Sequence, residues 1–303
     1  MVEPGLVVSE PGEESGLVVE PGMVGAPKLL AAVSESEPLG EAKAPGKTGE
    51  GAPEGNSEAL VPLGEFTQLG ELAAQIQGAG PPVVMLHGNS EDGRVFDRMV
   101  PRLSGFTTIS LDSRGHGRSP YPVGRLTITG LAIDTCRALE DYRRRTGYRG
   151  RFGVIGFSDG ANIGLEIALH RPDLLAAQVL MGGNTYPGAL KPWTKTTILA
   201  GYCLMRFLAP FHAAVGRRAQ VWGLMVGQPN VTRAQLESVT VPTLVMAGER
   251  DVVPRQESLR TARLIPGAEW VELIGHGHSL PRSAPALAGD LSREFLAAYL
   301  GLG

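Results

Sequence analysis

The stretch "VIGFSDGANIGLEIALHRP", residues 154–172, passes from an apolar segment through a glycine-flanked serine into a helical pattern. Its centre, "GFSDG", matches the pattern G-x-S-x-G and places Ser158 between the two glycines. In that pattern the serine lies on a sharp turn from a strand into a helix, where its hydroxyl is exposed. Because five residues of this kind also occur by chance, the partners of Ser158 must be found elsewhere in the chain.

Short apolar runs alternate with helical patterns from about residue 58 onward. The predicted strands cover residues 71–77, 83–87, 107–112, 151–158, 176–182, 242–248 and 269–275. The predicted helices cover residues 92–103, 125–146, 159–170, 255–265 and 284–300. Buried strands that alternate with helices form parallel crossovers, which place helices on both faces of one sheet. The sequence therefore predicts an α/β fold with a mostly parallel sheet and helices on both faces.

Polar residues that suit acyl transfer follow several predicted strands. In sheets of this kind, the reacting groups lie in loops beyond the carboxyl ends of the strands. One strand ends at Ser158, another is followed by Asp251, and a third by His276 and His278. A serine nucleophile needs a base, and the base needs an acid that orients it. The order Ser, Asp, His is the order expected with G-x-S-x-G, although Glu249 is an alternative acid and His276 an alternative base.

Two backbone N–H groups are expected to stabilise the oxyanion that acyl transfer creates. The residue after the nucleophile, Asp159, supplies one of them. The loop "HGN" at residues 87–89 supplies the other through Asn89, because Gly88 lets that backbone approach closely. We expect the Asp159 side chain to cap the helix that it begins, and a polar contact to substrate or to an insertion is the alternative.

Five segments together resemble the α/β-hydrolase superfamily: "VVMLHGN", "LDSRGHGRS", "GFSDGA", "VPTLVMAGERDVVP" and "GHGHSLP". The resemblance extends from about residue 60 to the C-terminus. It implies the α/β-hydrolase fold and a catalytic triad of Ser158, Asp251 and His278. It also implies that His278 rather than His276 is the base, and that a helical lid is inserted at about residues 184–240.

The predicted lid is rich in aromatic and methionine side chains. These residues are Tyr186, Trp193, Tyr202, Met205, Phe207, Phe211, Trp222 and Met225. We expect them to form the small core of the lid and its seam with the main domain, with some facing a small-molecule substrate that carries an apolar acyl or ring group. The apolar stretch 198–215 contains Arg206 and Pro210, so it predicts amphipathic lid helices and no stable membrane insertion.

The first 57 residues differ from the rest of the 303-residue chain. They hold 10 Glu, 3 Lys, 10 Gly and 7 Pro, and they contain no aromatic residue. Such a composition does not bury enough apolar surface to offset the entropy of ordering. Residues 1–57 are therefore predicted to form a disordered acidic tail, and residues 58–303 the α/β-hydrolase domain.

Composition excludes several classes of function. The formal net charge of −3 gives no basis for nucleic-acid binding. The spacing of Cys, His and Asp residues indicates no metal site, and no G-x-G-x-x-G follows a first strand, so no cofactor is expected. The two cysteines, Cys136 and Cys203, are interpreted as buried free thiols, with a single disulfide as the alternative. The N-terminus has no secretory pattern. Free thiols and no secretory pattern together predict a cytoplasmic protein.

The function expected from these features is hydrolysis of a carboxylic ester, or of a lactone or thioester, through an acyl-enzyme on Ser158. Two alternatives share the fold. One is a hydrolase that breaks a C–C bond with the same triad, and the other is a ligand-binding protein without catalysis. The oligomeric state is left open by the sequence.

Overall fold

The computed structural model describes residues 6–9, 16–19, 66–121 and 124–302. The strands within these residues are β1 (Leu6–Ser9), β2 (Gly16–Val19), β3 (Phe66–Leu69), β4 (Leu72–Gly78), β5 (Pro82–Leu86), β6 (Thr107–Leu111), β7 (Phe152–Phe157), β8 (Leu175–Met181), β9 (Thr243–Gly248) and β10 (Glu269–Leu273). The α-helices are α1 (Ile128–Thr146), α2 (Asp159–His170), α3 (Pro192–Leu208), α4 (Ala213–Gly227), α5 (Arg233–Glu237), α6 (Arg255–Leu264), α7 (Leu280–Ser283) and α8 (Pro285–Leu300).

All of these strands belong to one sheet with the order β1-β2-β10-β9-β8-β7-β5-β6-β4-β3. Neighbours from β10 to β6 in this order are parallel, whereas β4 and β3 add antiparallel strands at one edge. This arrangement confirms the predicted mostly parallel sheet. The central strands are buried along their whole length, as strands covered on both faces must be.

Two apolar cores lie on opposite faces of the sheet. Along β5, Val84 and Leu86 join the core that α1 and α2 cover, whereas Val83 and Met85 join the core that α8 covers. Successive side chains of a strand point to opposite faces, so one apolar run supplies both cores. The sheet is thereby held rigidly, and the loops at the carboxyl ends of its strands are held with it.

The prediction of a helix over residues 92–103 is wrong. The structure has two short 3₁₀ turns there, at Gly93–Phe96 and Val100–Arg102. Pro101 has no N–H to donate, so a continuous α-helix would lack a hydrogen bond at that position. The N–H of Gly93 is taken up by the carboxylate of Asp112, at 2.8 Å.

Part of the N-terminal segment forms strands at one edge of the sheet. β2 pairs antiparallel with β10, and β1 pairs with β2. The prediction of disorder is therefore wrong for residues 6–9 and 16–19, because β-branched segments gain main-chain hydrogen bonds from an open edge without needing a core of their own. The rest of the predicted tail lies outside the described residues, so its disorder stays a prediction.

The region between β8 and β9 holds α3, α4 and α5, at the position predicted for the lid. Gly201 of α3 leaves no room for a side chain, since a Cβ there would meet the ring of Trp222 on α4. Several side chains do not pack as expected: Trp193, Phe207 and Phe211 are exposed, as is Cys203. No helix among the described residues combines the length and apolar character that crossing a bilayer requires.

Candidate active site

Ser158 lies on the turn between β7 and α2 and has a strained backbone. Its φ is 54° and its ψ is −117°, a conformation that residues with a Cβ rarely adopt. A Cβ on Gly160 would overlap the carbonyl oxygen of Leu86, and a Cβ on Gly156 would overlap the backbone of Gly160. Both glycines of the pattern are therefore needed for the strand to turn back into the helix.

The structure brings Ser158, His278 and Asp251 into one chain of hydrogen bonds. Nε2 of His278 lies 3.1 Å from Oγ of Ser158, and Nδ1 lies 2.7 Å from Oδ1 of Asp251. Asp251 is almost completely buried, and the N–H of Val253 donates to the same Oδ1 at 2.9 Å. The carboxylate is thus oriented so that Nδ1–H donates to it and Nε2 is free to accept the serine proton.

The alternative acid and base lie outside this chain. Oε2 of Glu249 accepts from the N–H of Gly275 at 3.0 Å, so its carboxylate supports the turn after β10. The carbonyl of His276 accepts from the N–H of Arg250 at 2.9 Å. The backbone of His276 thus joins two loops, while the imidazole of His278 faces the serine.

Gly182, at the end of β8, is a site residue that the sequence reasoning missed. Its φ is 60°, and a Cβ there would lie 2.9 Å from Nδ1 of His278 and 3.2 Å from Oδ2 of Asp251. The backbone passes behind the imidazole and leaves no space for a side chain. The signal was the glycine pair at the end of the predicted strand, in the motif "MGGN".

The backbone N–H groups of Asn89 and Asp159 have no hydrogen-bond acceptor in the part of the chain that the structure describes. Gly88 lies close to the nucleophile, since a Cβ on it would be 3.1 Å from Cβ of Ser158. Free backbone N–H groups on segments that approach a serine are donors of the kind that can stabilise an oxyanion.

His87 holds the loop that carries Asn89. Its Nε2 accepts from the N–H of Ser113 at 2.9 Å, which leaves the proton on Nδ1 to donate to the carbonyl of Gly88 at 2.8 Å. Burial lowers the pKa of His87, so its ring stays neutral and can act as donor and acceptor together. The ring of His116 packs against it, with 5.0 Å between centroids.

The carboxylate of Asp159 bonds to side-chain amides. Nδ2 of Asn89 donates to Oδ2 at 3.0 Å, and Nδ2 of Asn162 lies 3.5 Å from Oδ1. The predicted helix cap is wrong, because the N–H groups of Ala161 and Asn162 already donate to the carbonyl of Ser158. Burial raises the pKa of Asp159, an effect that the two amide donors oppose.

The same network reaches the lid at two points. Nδ2 of Asn89 donates a second hydrogen bond to the carbonyl of Val221 on α4, at 2.8 Å. Oδ1 of Asn162 accepts from the N–H of Asn184 at 3.1 Å, at the start of the lid. The loop that carries Asn89, the turn at Ser158 and the lid are therefore connected by polar side chains. The sequence singles out Asn89 and Asp159, but it contains no signal for Asn162.

Glu91, two residues after Asn89, forms an ion pair next to the site. Arg282, on α7 just after His278, lies 3.3 Å from its Oε1. Burial raises the pKa of Glu91, and the charge of Arg282 opposes that rise. This pair links the loop that follows Asn89 to the segment that carries the imidazole of His278.

A cavity of about 400 Å³ opens between the loop after β5 and the lid. Ser90 and Glu91 line one side, residues 115–117 another, and Arg217 and Arg218 of α4 a third. Its volume lies in the range of small-molecule sites, but Ser158 and His278 are not among the residues that line it. Among the described residues, no three His, Cys, Asp or Glu side chains are grouped so that they could hold a metal ion.

Comparison with known proteins matches this chain to one family model and to several known enzymes. A family model described as the alpha/beta hydrolase fold matches residues 81–225. The chain is 36% identical over 249 residues to a putative non-heme haloperoxidase of Mycobacterium phage D29, a match that covers 71% of this chain and 87% of the relative. It is 32% identical over 127 residues to 2-(acetamidomethylene)succinate hydrolase of Mesorhizobium japonicum, a match that covers 42% of each chain.

Solved structures show the same fold. A thermophilic esterase from Thermogutta terrifontis superposes with a TM-score of 0.63 at 21% sequence identity. That match covers 78% of this chain and 99% of the esterase. The predicted fold class is thereby confirmed, with helices and a lid region around a mostly parallel sheet.

Proposed function

Since this chain belongs to the α/β-hydrolase family, we propose that it is a serine hydrolase that cleaves a carboxylic ester, with lactones and thioesters as related substrates. The observation that carries the proposal is the chain of hydrogen bonds from Asp251 through His278 to Ser158. The two free N–H groups of Asn89 and Asp159 lie beside it. Together these groups fit nucleophilic acyl transfer.

The first half of the proposed reaction forms an acyl-enzyme. Oγ of Ser158 attacks the carbonyl carbon while Nε2 of His278 takes the hydroxyl proton. The N–H groups of Asn89 and Asp159 stabilise the negative charge that develops on the carbonyl oxygen. His278 then donates the proton to the leaving alcohol, and the carbon–oxygen bond of the ester breaks.

The second half releases the acid. Water attacks the acyl-enzyme while His278 removes one of its protons, and the same N–H pair stabilises the second oxyanion. Asp251 stays ionised throughout and stabilises the imidazolium that forms twice in each cycle. Oγ of Ser158 regains its proton from His278, so the site returns to its starting state without a cofactor.

An activity-based probe tests this proposal directly. We expect a fluorophosphonate to label the wild-type protein at Ser158, and p-nitrophenyl acetate and butyrate to be hydrolysed. Ser158→Ala should abolish both, whereas Ser238→Ala, which removes an exposed hydroxyl after α5, should change neither. Folded wild-type protein that is neither labelled nor active on these esters would sink the proposal in favour of a non-catalytic role.

A further inference from the structure

Helix α3 presents an apolar face to solvent that no part of the described chain covers. None of its 17 residues is buried. The outer face of the lid consists of four residues on this helix and Phe211, which follows it. Their exposed fractions are 63% for Trp193, 52% for Leu199, 59% for Leu204, 72% for Phe207 and 73% for Phe211.

The geometry of α3 explains why these side chains point outward. Its partly buried residues include Ile198, Gly201, Met205 and Leu208, at spacings of three and four that form one stripe. This stripe packs on α4, as the close approach of Gly201 to Trp222 shows. At 3.6 residues per turn, the four outer residues on the helix cover an arc of roughly 140° away from that stripe.

The segment that contains the lid helices has an excess of basic residues. Residues 174–236 contain no Asp or Glu, although the whole chain has a net charge of −3. The same range contains six basic residues, which are Lys191, Lys195, Arg206, Arg217, Arg218 and Arg233. Lys195 and Arg206 are exposed on α3 itself, next to the apolar outer face, whereas Arg217 and Arg218 line the cavity and Arg233 pairs with Glu237. The outer face therefore lies in a segment with an excess of positive charge.

We propose that the outer face of the lid docks on the surface of an anionic lipid bilayer. Exposed Trp, Phe and Leu side chains next to Lys and Arg are the combination that holds an amphipathic helix in a bilayer interface. Anionic headgroups attract the basic residues, and the apolar side chains enter the boundary between headgroups and acyl chains. A second copy of the chain fits less well, since it would bring two basic surfaces together.

Docking in this way brings α4, and the cavity that α4 lines, close to the bilayer. α4 lies directly beneath α3 and lines the cavity through Arg217 and Arg218. The carbonyl of Val221 on the same helix accepts from the side chain of Asn89, in the loop after β5. Only α3 then separates the bilayer from the helix that lines the cavity. The docking itself is independent of the reaction proposed above.

Flotation of the full-length protein with lipid vesicles tests the proposal. Vesicles of phosphatidylcholine alone are compared with vesicles of equal parts phosphatidylcholine and phosphatidylglycerol. The apolar variant is Trp193→Ala with Phe207→Ala, and its control is Ile133→Ala with Tyr299→Ala, which removes exposed apolar side chains from α1 and α8. The charge variant is Lys195→Glu with Arg206→Glu, and its control is Arg149→Glu with Arg151→Glu.

We expect wild-type protein to float with the anionic vesicles and not with neutral ones. Each lid variant should weaken this binding on the order of tenfold or more, and each control should leave it within about twofold. Thermal unfolding midpoints near the wild-type value show that the variants fold. Wild-type protein that binds neither vesicle, or lid variants that bind as well as their controls, would overturn the proposal. Self-association that the lid variants abolish, without vesicle binding, would favour a second copy instead.

Discussion

The side-chain nitrogen of Asn89 lies 3.0 Å from Oδ2 of Asp159, although 70 residues separate the two along the chain. The backbone N–H groups of these same residues form the proposed oxyanion hole. The distance between the two N–H groups is therefore constrained by a hydrogen bond between the side chains of their own residues. The second hydrogen bond of the Asn89 amide, to Val221, ties this pair to the lid.

Removal of either side chain of this pair should lower kcat for a p-nitrophenyl ester. We expect Asn89→Ala and Asp159→Ala each to reduce it on the order of tenfold, because the oxyanion donors lose their alignment. The double variant should be little worse than either single variant, with a coupling energy on the order of 1 kcal/mol. Asn230→Ala removes an exposed amide that donates to the carbonyl of Gly227 in the lid, and it serves as the control. Strictly additive effects would contradict a shared role.

Asp251 should be essential for catalysis, whereas Glu249 should not be. Asp251→Asn keeps the shape of the side chain but favours the wrong tautomer of His278, so we expect kcat to fall on the order of 10³-fold to 10⁴-fold. Glu249→Gln, two residues away, should change kcat less than about threefold because Glu249 supports a turn. Steady-state kinetics on both variants checks this, and a larger effect from Glu249 would reverse the assignment.

A methyl group at Gly182 should displace the imidazole. In Gly182→Ala the new Cβ would lie 2.9 Å from Nδ1 of His278, so we expect kcat to fall at least tenfold. The φ of 60° adds strain of about 1 kcal/mol. Gly267→Ala is the matched control, since Gly267 has a φ of 70° and nothing within 4 Å of a Cβ. Both variants should lose stability through the positive φ, and Gly182→Ala should lose more because of its buried contact. Only Gly182→Ala should lose activity, and equal activities would refute the contact.

The pH dependence of stability should report the buried carboxyl of Asp159. Because burial raises its pKa, the folded state binds the proton more tightly than the unfolded state. Stability from this group is therefore greatest at low pH and is lost as the pH rises through the folded pKa. We expect the free energy of unfolding of wild type, relative to Asp159→Asn, to decrease as the pH rises above about 4. Urea unfolding across pH measures this difference, and parallel curves for the two proteins would contradict it.

His116 should have the opposite dependence. Burial lowers its pKa to about 4, so the unfolded state binds a proton at a pH where the folded state does not. Its contribution is present above the ordinary pKa of 6.5 and is lost as the pH falls toward 4, by up to about 3 kcal/mol. His116→Asn, which keeps a donor near the carbonyl of Arg114, should flatten the loss of stability between pH 6.5 and 4. An unchanged slope in urea unfolding would show that His116 ionises normally in the folded state.

Much of the fold follows from local patterns in the sequence. The strands β5 to β10 were predicted within about two residues, because each is a short apolar run between polar turns. The predictions that failed concern segments in which a local pattern competes with other contacts. The segment over residues 92–103 is helical in composition, but Pro101 interrupts it. The strands β1 and β2 depend on the free edge of β10, which is distant in the chain.

For the candidate site, the sequence by itself determined which residues follow the ends of parallel strands. Ser158, Asp251 and His278 come together because a parallel sheet brings the carboxyl ends of its strands to one edge, whatever the distance along the chain. Chain order and local periodicity contain that information. The tertiary structure alone decided which side chains bond to each other at that edge. The partners of Asp159, the space behind His278 at Gly182 and the outward face of α3 all depend on which surfaces pack together, and packing joins residues that no local pattern relates.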